Sequence, residues 1–224
     1  MGQTPFIHLA VRTSFSLLES MITTKGLTTW CVDQGMPAVA VTDRNNLYGA
    51  LELSEALSGA GVQPIMAVCF DVTDGAHQET VTRLSLYAQN AEGYQRLMAL
   101  SSYAYLDAED GVPRIHQRYL NEKTDGLIVL TGGAEGDVAR LLLKGKTDDA
   151  KAALQKLAGQ FPGRCYVEIT RHGSADEAEC EPGLLALAYE LDLPIVATHD
   201  VRFLQPDDAE AHDAMMCIAN GAYL

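Results

Sequence analysis

Charged side chains follow several short apolar stretches of this chain, where the strands of an α/β protein would end. The residues concerned are Arg12, Asp43, Arg44, Asp71, Glu168, Arg171, His172, His199, Asp200 and Arg202. Carboxylates in such places are common metal ligands and acid/base groups. Arginine carries only N–H donors and keeps its proton, so it cannot bind a metal ion. The mixture predicts a charge-paired pocket, and the alternative is a set of solvated loop charges with ordinary ion pairs.

Alternating apolar strands and amphipathic helices would have to position these side chains. The pattern predicts strands at residues 6–12, 38–41, 64–70, 81–88, 126–130, 165–169 and 194–198. Helices are predicted at about 24–34, 48–57, 176–191 and 207–219, after Asn90, and once or twice within 135–160. Repeated βα units favour a parallel sheet, and the runs LIVL and PIVA favour strands covered on both faces. We predict a closed or nearly closed barrel, whose chemistry would gather at the carboxyl ends of the strands.

A doubly wound open sheet is the alternative architecture, but the chain has no GxGxxG fingerprint to support it. The 224 residues show no internal repeat or linker, so we predict a single domain over residues 1–224. The net charge of −14 argues against a direct grip on DNA by this segment, because binding phosphates requires a basic surface.

The cellular setting is predicted from what the chain lacks. No apolar run approaches the ~20 residues that span a bilayer, and the first residues do not resemble a signal peptide. We therefore expect a cytoplasmic protein with no membrane partner. The scattered cysteines are predicted to be reduced thiols, since none forms a CxxC pair; they are Cys31, Cys69, Cys165, Cys180 and Cys217.

Six segments in fixed order carry a family resemblance. They read FIHLAVRTSFSLLE, GMPAVAVTDRNNLYGALEL, GVQPIMAVCFDV, LIVLTGG, YVEITRHG and LPIVATHDVRFL. Together they resemble the PHP (polymerase and histidinol phosphatase) family, in the form found at the amino terminus of bacterial replicative DNA polymerase III alpha subunits. The resemblance covers essentially the whole chain. It implies a distorted seven-stranded (βα)7 TIM-like barrel, the PHP fold, as an N-terminal fragment of a much longer polymerase chain.

Active members of this family hold a metal cluster with histidine, carboxylate or cysteine ligands. The resemblance places such ligands at positions that here are occupied by Ala10, Arg12, Arg44, Arg83, Gly133 and Arg202. Residues of ligand type remain at Glu19 and Asp200, with Cys69 as a third candidate. We therefore predict no metal, no cofactor and no catalytic residue in this segment. A lone site formed by His8 and Asp200 is an alternative, although a single histidine is more often structural.

The arginines lead to a specific hypothesis. Arg12, Arg44, Arg83 and Arg202 would converge in the former metal pocket and pair with Glu19, Asp43, Glu168 and Asp200. An alternative is that the same pocket binds phosphate or pyrophosphate through bidentate contacts, as a regulatory site.

The resemblance also implies partners. The parent chain would be a DNA-directed DNA polymerase, a nucleotidyltransferase of DNA replication whose Mg²⁺ binds in domains beyond residue 224. This module would be a scaffold for those domains and a docking site for epsilon, the proofreading exonuclease subunit. The rival interpretation is an active metal-dependent phosphoesterase or exonuclease.

Overall fold

The computed structural model describes residues 6–74, 81–108, 110–121 and 123–223. Its contacts divide the chain into two compact units, one made of Met1–Ala67 with His199–Leu224 and the other of Val68–Thr198. Each unit is described by itself. The single domain over residues 1–224 stays a prediction.

The described residues of the first unit form three α-helices, a short 3₁₀ helix (Pro206–Asp208) and a pair of parallel strands. The helices are α1 (Thr24–Asp33), α2 (Ala50–Gly59) and α7 (Ala209–Asn220); strand β1 (Ala38–Val41) pairs in parallel with residues 63–66 of β2 (Gln63–Thr73). Thr23 caps α1, since its hydroxyl accepts a hydrogen bond from the Gly26 N–H at 3.1 Å. Leu27 and Cys31 lie on one face of α1 and are buried in the core of the unit.

Residues 6–12 were predicted to be a strand, but they do not form a regular strand. Val11 makes isolated parallel bridges to Val41 on one side and to Val201 on the other. The segment is held by hydrogen bonds from Ala40 N to His8 O and from Arg12 N to Val201 O, both 2.9 Å long. The bridge on each side stays single, so the segment forms no continuous ladder with either neighbour. The prediction was wrong about the strand, although the segment lies between two partners as a strand would.

The second unit contains residues 68–73 of β2 and the remaining strands and helices. These are β3 (Thr82–Ala88), α3 (Ala91–Leu106), β4 (Ile115–His116), a 3₁₀ turn (Gln117–Leu120), β5 (Leu127–Leu130), α4 (Asp137–Leu143), α5 (Thr147–Gln160), β6 (Cys165–Ile169), α6 (Ala175–Glu190) and β7 (Ile195–Ala197). The strand order is β2-β3-β5-β6-β7, and β4 pairs in parallel with β2. β6 is parallel to both β5 and β7.

The expectation of a wholly parallel sheet was wrong for strand β3. β3 and β5 are antiparallel, with Leu86 opposite Val129. Only residues 74–81 separate β2 from β3, too few for the dozen or so residues that a parallel crossover needs. The sequence therefore contained the reason for this reversal in the length of that connection.

Strand β7 also differs from expectation, because it is not covered on both faces. Ile195 is 37% exposed, and Ala197 is exposed as well. β7 is three residues long and lies at the end of the strand order. An apolar run of this length is therefore a poor guide to burial at the edge of a sheet.

The five cysteines are free thiols, as predicted. Burial raises the pKa of Cys31 to about 11 and that of Cys165 to about 12, so these thiols are unreactive core residues. Among the described residues, no helix combines the length and apolar character that crossing a membrane requires.

Candidate functional site

Arg12 is the central side chain of the site in the first unit. Its Nε donates to Asp200 Oδ1 at 2.8 Å, and its Nη1 donates to Glu19 Oε2. The Arg12 side chain is only 4% exposed. A buried guanidinium thus binds the two carboxylates that the family resemblance marks as surviving ligand positions.

Two further arginines flank this arrangement. Arg44 Nη1 donates to the other oxygen of Glu19, while Arg202 donates to Asp200 Oδ2 from Nε at 3.0 Å and from Nη2 at 2.7 Å. The five residues form an alternating series, Arg44–Glu19–Arg12–Asp200–Arg202, which we call the guanidinium–carboxylate chain. Charge-assisted hydrogen bonds of this kind are the stronger class of protein hydrogen bonds.

The backbone around the chain is fixed by Ser20. Its hydroxyl lies 2.7 Å from Arg12 O and 2.9 Å from Arg202 O, so its single O–H can donate to either carbonyl. His212 Nε2 lies 3.1 Å from Glu19 O. Ser20 and His212 were not recognised from the sequence, because nothing in their local pattern indicates which distant carbonyl they contact.

The hydrogen-bond partners of Asp43 differ from the arginines that were predicted to pair with it. Its carboxylate accepts hydrogen bonds from Thr13 N at 2.7 Å, Thr13 Oγ1 at 2.6 Å and Ser16 Oγ at 2.6 Å. Ser16 Oγ in turn accepts from Arg44 N at 3.1 Å. The buried Asp43 therefore holds the loop of residues 13–19 in place, and this loop carries Glu19 to the guanidinium–carboxylate chain.

The loop of residues 13–19 and the neighbouring segment of residues 44–49 both contain unusual backbone conformations. Leu18 has φ 60° and Asn45 has φ 59°, in the left-handed region that L-residues rarely adopt. At Gly49, an added Cβ would lie 2.6 Å from the Phe15 ring, so a glycine is needed for this close approach. Asn46 Nδ2 also donates to Phe15 O at 3.1 Å. The 13–19 loop is thus tied to residues 44–49 at several points.

Arg83 and Glu168 lie in the second unit. Arg83 donates from Nε to Asp71 Oδ1 at 3.3 Å and from Nη1 to Glu135. Glu168 accepts from Gly132 N at 2.9 Å and from Thr198 Oγ1 at 2.6 Å. Cys69 is buried in the same unit. The structure brings Arg12, Arg44 and Arg202 into one ion-paired series, and it gives Arg83 a separate pair of carboxylates.

The electrostatics of Asp200 follow from its neighbours. Burial by itself would raise the pKa of the Asp200 carboxyl, but the charges of Arg12 and Arg202 outweigh it and hold the pKa below its usual value. Asp200 is therefore an ionised partner at neutral pH and a poor general acid.

The donor set does not fit the metal cluster of active family members. The Arg12 guanidinium binds Glu19 and Asp200, whose oxygens would otherwise be available to an ion. Over the part of the chain that the structure describes, no group of three or more His, Cys, Asp or Glu side chains could hold a metal ion. A divalent ion placed among these guanidiniums would be repelled at short range. Glu19 and Asp200 are therefore already bound by guanidinium groups.

The histidines have surroundings unlike a ligand set. The His8 ring packs edge-on against Phe6 and Trp30, with centroid distances of 5.0 and 5.6 Å. Burial, with a further contribution from the charge of His199, lowers the His8 pKa. His172 Nδ1 lies 2.7 Å from Glu177 Oε1 in the second unit. His8 is thus part of an aromatic cluster, and nothing in the described residues groups it with Asp200 as a site.

The PHP domain model matches residues 8–172 of the chain. The DNA polymerase III subunit alpha of Caulobacter vibrioides is 44% identical over 225 residues, covering 98% of this chain and 20% of the relative. The subunit of the same name from Escherichia coli K12 is 36% identical over 222 residues, covering 99% of this chain and 19% of the relative. The chain thus spans about a fifth of the length of these curated relatives.

Solved structures show the same fold at low sequence identity. A candidate metal-dependent phosphoesterase from Bifidobacterium adolescentis superposes with a TM-score of 0.57 at 14% identity, covering 93% of this chain and 96% of that one. A two-domain protein from Bacteroides vulgatus, containing a predicted PHP-like metal-dependent phosphoesterase, gives 0.52 at 11% identity and covers 92% and 55%. The predicted fold class, the α/β PHP fold, is confirmed. This chain belongs to the PHP domain family.

Proposed function

We propose that the chain is the PHP module of a replicative DNA polymerase III alpha subunit and that the module itself is catalytically silent. The similarity to curated alpha subunits over nearly the whole chain supports the first part. The position of Arg12 between Glu19 and Asp200 supports the second part, and this is the observation on which the proposal depends. DNA synthesis with Mg²⁺ would belong to other domains of the parent polymerase.

In this proposal the arginines have a structural role. Positive charges are needed in the pocket because Glu19 and Asp200 lie there as ionised groups, and guanidiniums supply these charges without a metal. Buried ion pairs are tolerated only with good geometry and full hydrogen bonding. The two-point contact of Arg202 with Asp200 and the two-sided contact of Arg12 meet that requirement. The module would then be a rigid scaffold for the rest of the polymerase.

The scaffold would also be a docking site for epsilon, the proofreading exonuclease. Its surface is strongly acidic, with a net charge of −14 over 224 residues, which favours contact with a protein over contact with DNA. Binding of purified epsilon to the chain, measured by calorimetry, tests this part. Absence of binding would contradict docking and leave the silence of the pocket as a separate question.

Catalytic silence is tested with phosphodiester and phosphomonoester substrates in the presence of Mn²⁺, Zn²⁺ or Mg²⁺. We expect no turnover above the background of a mock purification. The matched control is Glu19→Gln, which removes one surviving carboxylate charge. If the unsubstituted 224-residue chain turned these substrates over and Glu19→Gln did not, the chain would be an active phosphoesterase and the proposal would be overturned.

A phosphate-binding pocket is the second candidate. The side chains of Arg44 and Arg202 are 33% and 24% exposed, so both can be reached from solvent. An anion such as pyrophosphate would accept hydrogen bonds from these open sides. A rise in melting temperature with pyrophosphate, lost in Arg202→Gln, would support this function, and no rise would exclude it.

A further inference from the structure

A cavity of about 240 Å³ lies within the second unit, and its lining includes no residue of the guanidinium–carboxylate chain. Helix α5, the 3₁₀ turn, strand β3 and the start of α4 contribute to its lining. The apolar part of the lining includes Val72, Leu84, Leu120 and Leu157. This volume can hold a small organic molecule, and apolar walls with a few polar groups are typical of ligand sites.

The polar part of the lining has unused hydrogen-bonding capacity. Thr82, Gln117, Asp137 and Lys156 line the cavity. Within the described residues, none of these four side chains has a hydrogen-bond or ion-pair partner. Arg83 also lines the cavity, but its guanidinium is bound to Asp71 and Glu135. Polar side chains that have no partner within the protein can bind a ligand without first breaking internal contacts.

Asp137 and Lys156 have opposite charges at the same cavity. Burial raises the pKa of the Asp137 carboxyl, and the charges of Lys156, Arg140 and Lys144 oppose this rise. In the described part of the chain the two side chains form no ion pair with each other, and both residues are exposed. The two charges are thus near enough to interact and too far apart to neutralise one another.

We propose that this cavity binds a small zwitterion with an apolar body, of the α-amino acid class. The ammonium group of the ligand would donate to Asp137, and its carboxylate would accept from Lys156. The apolar side chain would lie against Leu84, Leu120 and Leu157. Gln117 and Thr82 can each donate and accept, so they would complete the polar contacts. This site is independent of the proposed polymerase module function.

Calorimetric titration of the 224-residue chain with L-leucine and L-phenylalanine, up to about 10 mM, tests the proposal. We expect binding of one or both. Leucinamide keeps only the positive charge of leucine, and N-acetyl-leucine keeps only the negative charge, so the two analogues report on the two ends separately.

Two substitutions assign the ends of the ligand. Asp137→Asn should weaken leucine and leucinamide about tenfold and leave N-acetyl-leucine unchanged, because it removes the acceptor for the ammonium group. Lys156→Gln should weaken leucine and N-acetyl-leucine and leave leucinamide unchanged. The matched controls are Asp148→Asn and Lys25→Gln, which remove an exposed carboxylate and an exposed ammonium outside the cavity.

The proposal is overturned if neither amino acid binds, or if binding is the same in both cavity variants and in the controls. Circular dichroism of each variant establishes that it is folded before binding is compared. A cavity-filling change, Ala153→Leu, provides an independent readout, because it narrows the site and leaves both charges in place. It should weaken phenylalanine more than leucine, since the larger side chain needs more of the volume.

Discussion

Arg12 Nε lies 2.8 Å from Asp200 Oδ1, although 188 positions separate the two residues in the chain. Asp200 is of the ligand type expected in an active PHP domain, whereas a guanidinium cannot bind a metal. The charge of Asp200 is balanced within the protein by Arg12 and Arg202. This contact links residues from the beginning and the end of the first unit.

Substitution of Arg12 by alanine should destabilise the protein strongly. It would leave Glu19 and Asp200 with one guanidinium partner less, and losing one member of a buried ion pair costs about 3–5 kcal/mol. The free energy of unfolding from chemical denaturation measures this loss. Arg12→Lys should lie between the parent and Arg12→Ala, because an ammonium keeps the charge and loses the planar two-sided contact.

Arg118→Ala is the control for that experiment. Arg118 is 60% exposed and pairs with Asp107 at 3.3 Å, and exposed pairs contribute roughly 0–1 kcal/mol. Equal losses for Arg12→Ala and Arg118→Ala would contradict the buried role of the first arginine.

Asp43→Ala should release the 13–19 loop. The substitution removes the acceptor of three hydrogen bonds, from Thr13 N, Thr13 Oγ1 and Ser16 Oγ. Hydrogen bonds to charged groups contribute about 1.5–3 kcal/mol each, so we expect a loss of several kcal/mol in the free energy of unfolding. Faster hydrogen exchange at residues 13–19 should accompany it. Exposed Asp33→Ala is the matched control, and an unchanged exchange rate in Asp43→Ala would refute this account of the loop.

The low pKa of Glu177 predicts that the protein loses stability in acid. Burial would raise the Glu177 pKa, but hydrogen bonds from His172, Thr170 and nearby backbone N–H groups outweigh it and lower the pKa to about 2. The folded pKa lies below the unfolded one, so the stabilisation is complete above about pH 4.5 and is lost as pH falls towards 2.

The measurement compares the parent with Glu177→Gln at a series of pH values. The variant should be less stable at pH 7, since the backbone donors of His172, Gly173 and Ser174 would face a neutral amide. The difference should shrink as pH falls below about 4.5. A difference that is constant over the whole range would show that the charge of Glu177 does not matter.

His8 should make the first unit sensitive to mild acid. Its Nδ1 is buried without a hydrogen-bond partner in the described residues, and burial lowers its pKa. The unfolded histidine binds a proton near pH 6.5, so stability should decline as pH falls below that value. His8→Phe should remove this decline, because phenylalanine fills a similar volume between Phe6 and Trp30 and does not titrate. Identical stability profiles for parent and variant between pH 5 and 8 would argue against it.

Many residues of the site could be predicted from the sequence, but several of their hydrogen-bond partners could not. The positions of Arg12, Arg44 and Arg202 at the ends of apolar segments could be predicted, and so could their retained carboxylate neighbours. The partners of Asp43 could not, because they depend on the path of the 13–19 loop, including the positive φ of Leu18. Ser20 was missed for the same reason: its hydroxyl lies near two carbonyls that are distant in the chain.

The bounds of a strand or helix were predicted well where its apolar pattern matches its observed length and burial. β6 was placed at its observed residues, 165–169, and α6 was placed within one residue at each end. The antiparallel pairing of β3 with β5 could have been inferred from the short connection after β2. The exposure of Ile195 could not, since an apolar strand sequence does not specify which neighbours cover it.

Metal content is the most direct test of the central claim that guanidiniums balance these carboxylates in place of metal ions. The chain would be purified without chelator, equilibrated with Zn²⁺ or Mn²⁺, freed of excess metal by gel filtration, and analysed by plasma mass spectrometry. We predict no stoichiometric metal in the parent and no change in Glu19→Gln. One or more equivalents retained by the parent and lost in Glu19→Gln would contradict the account.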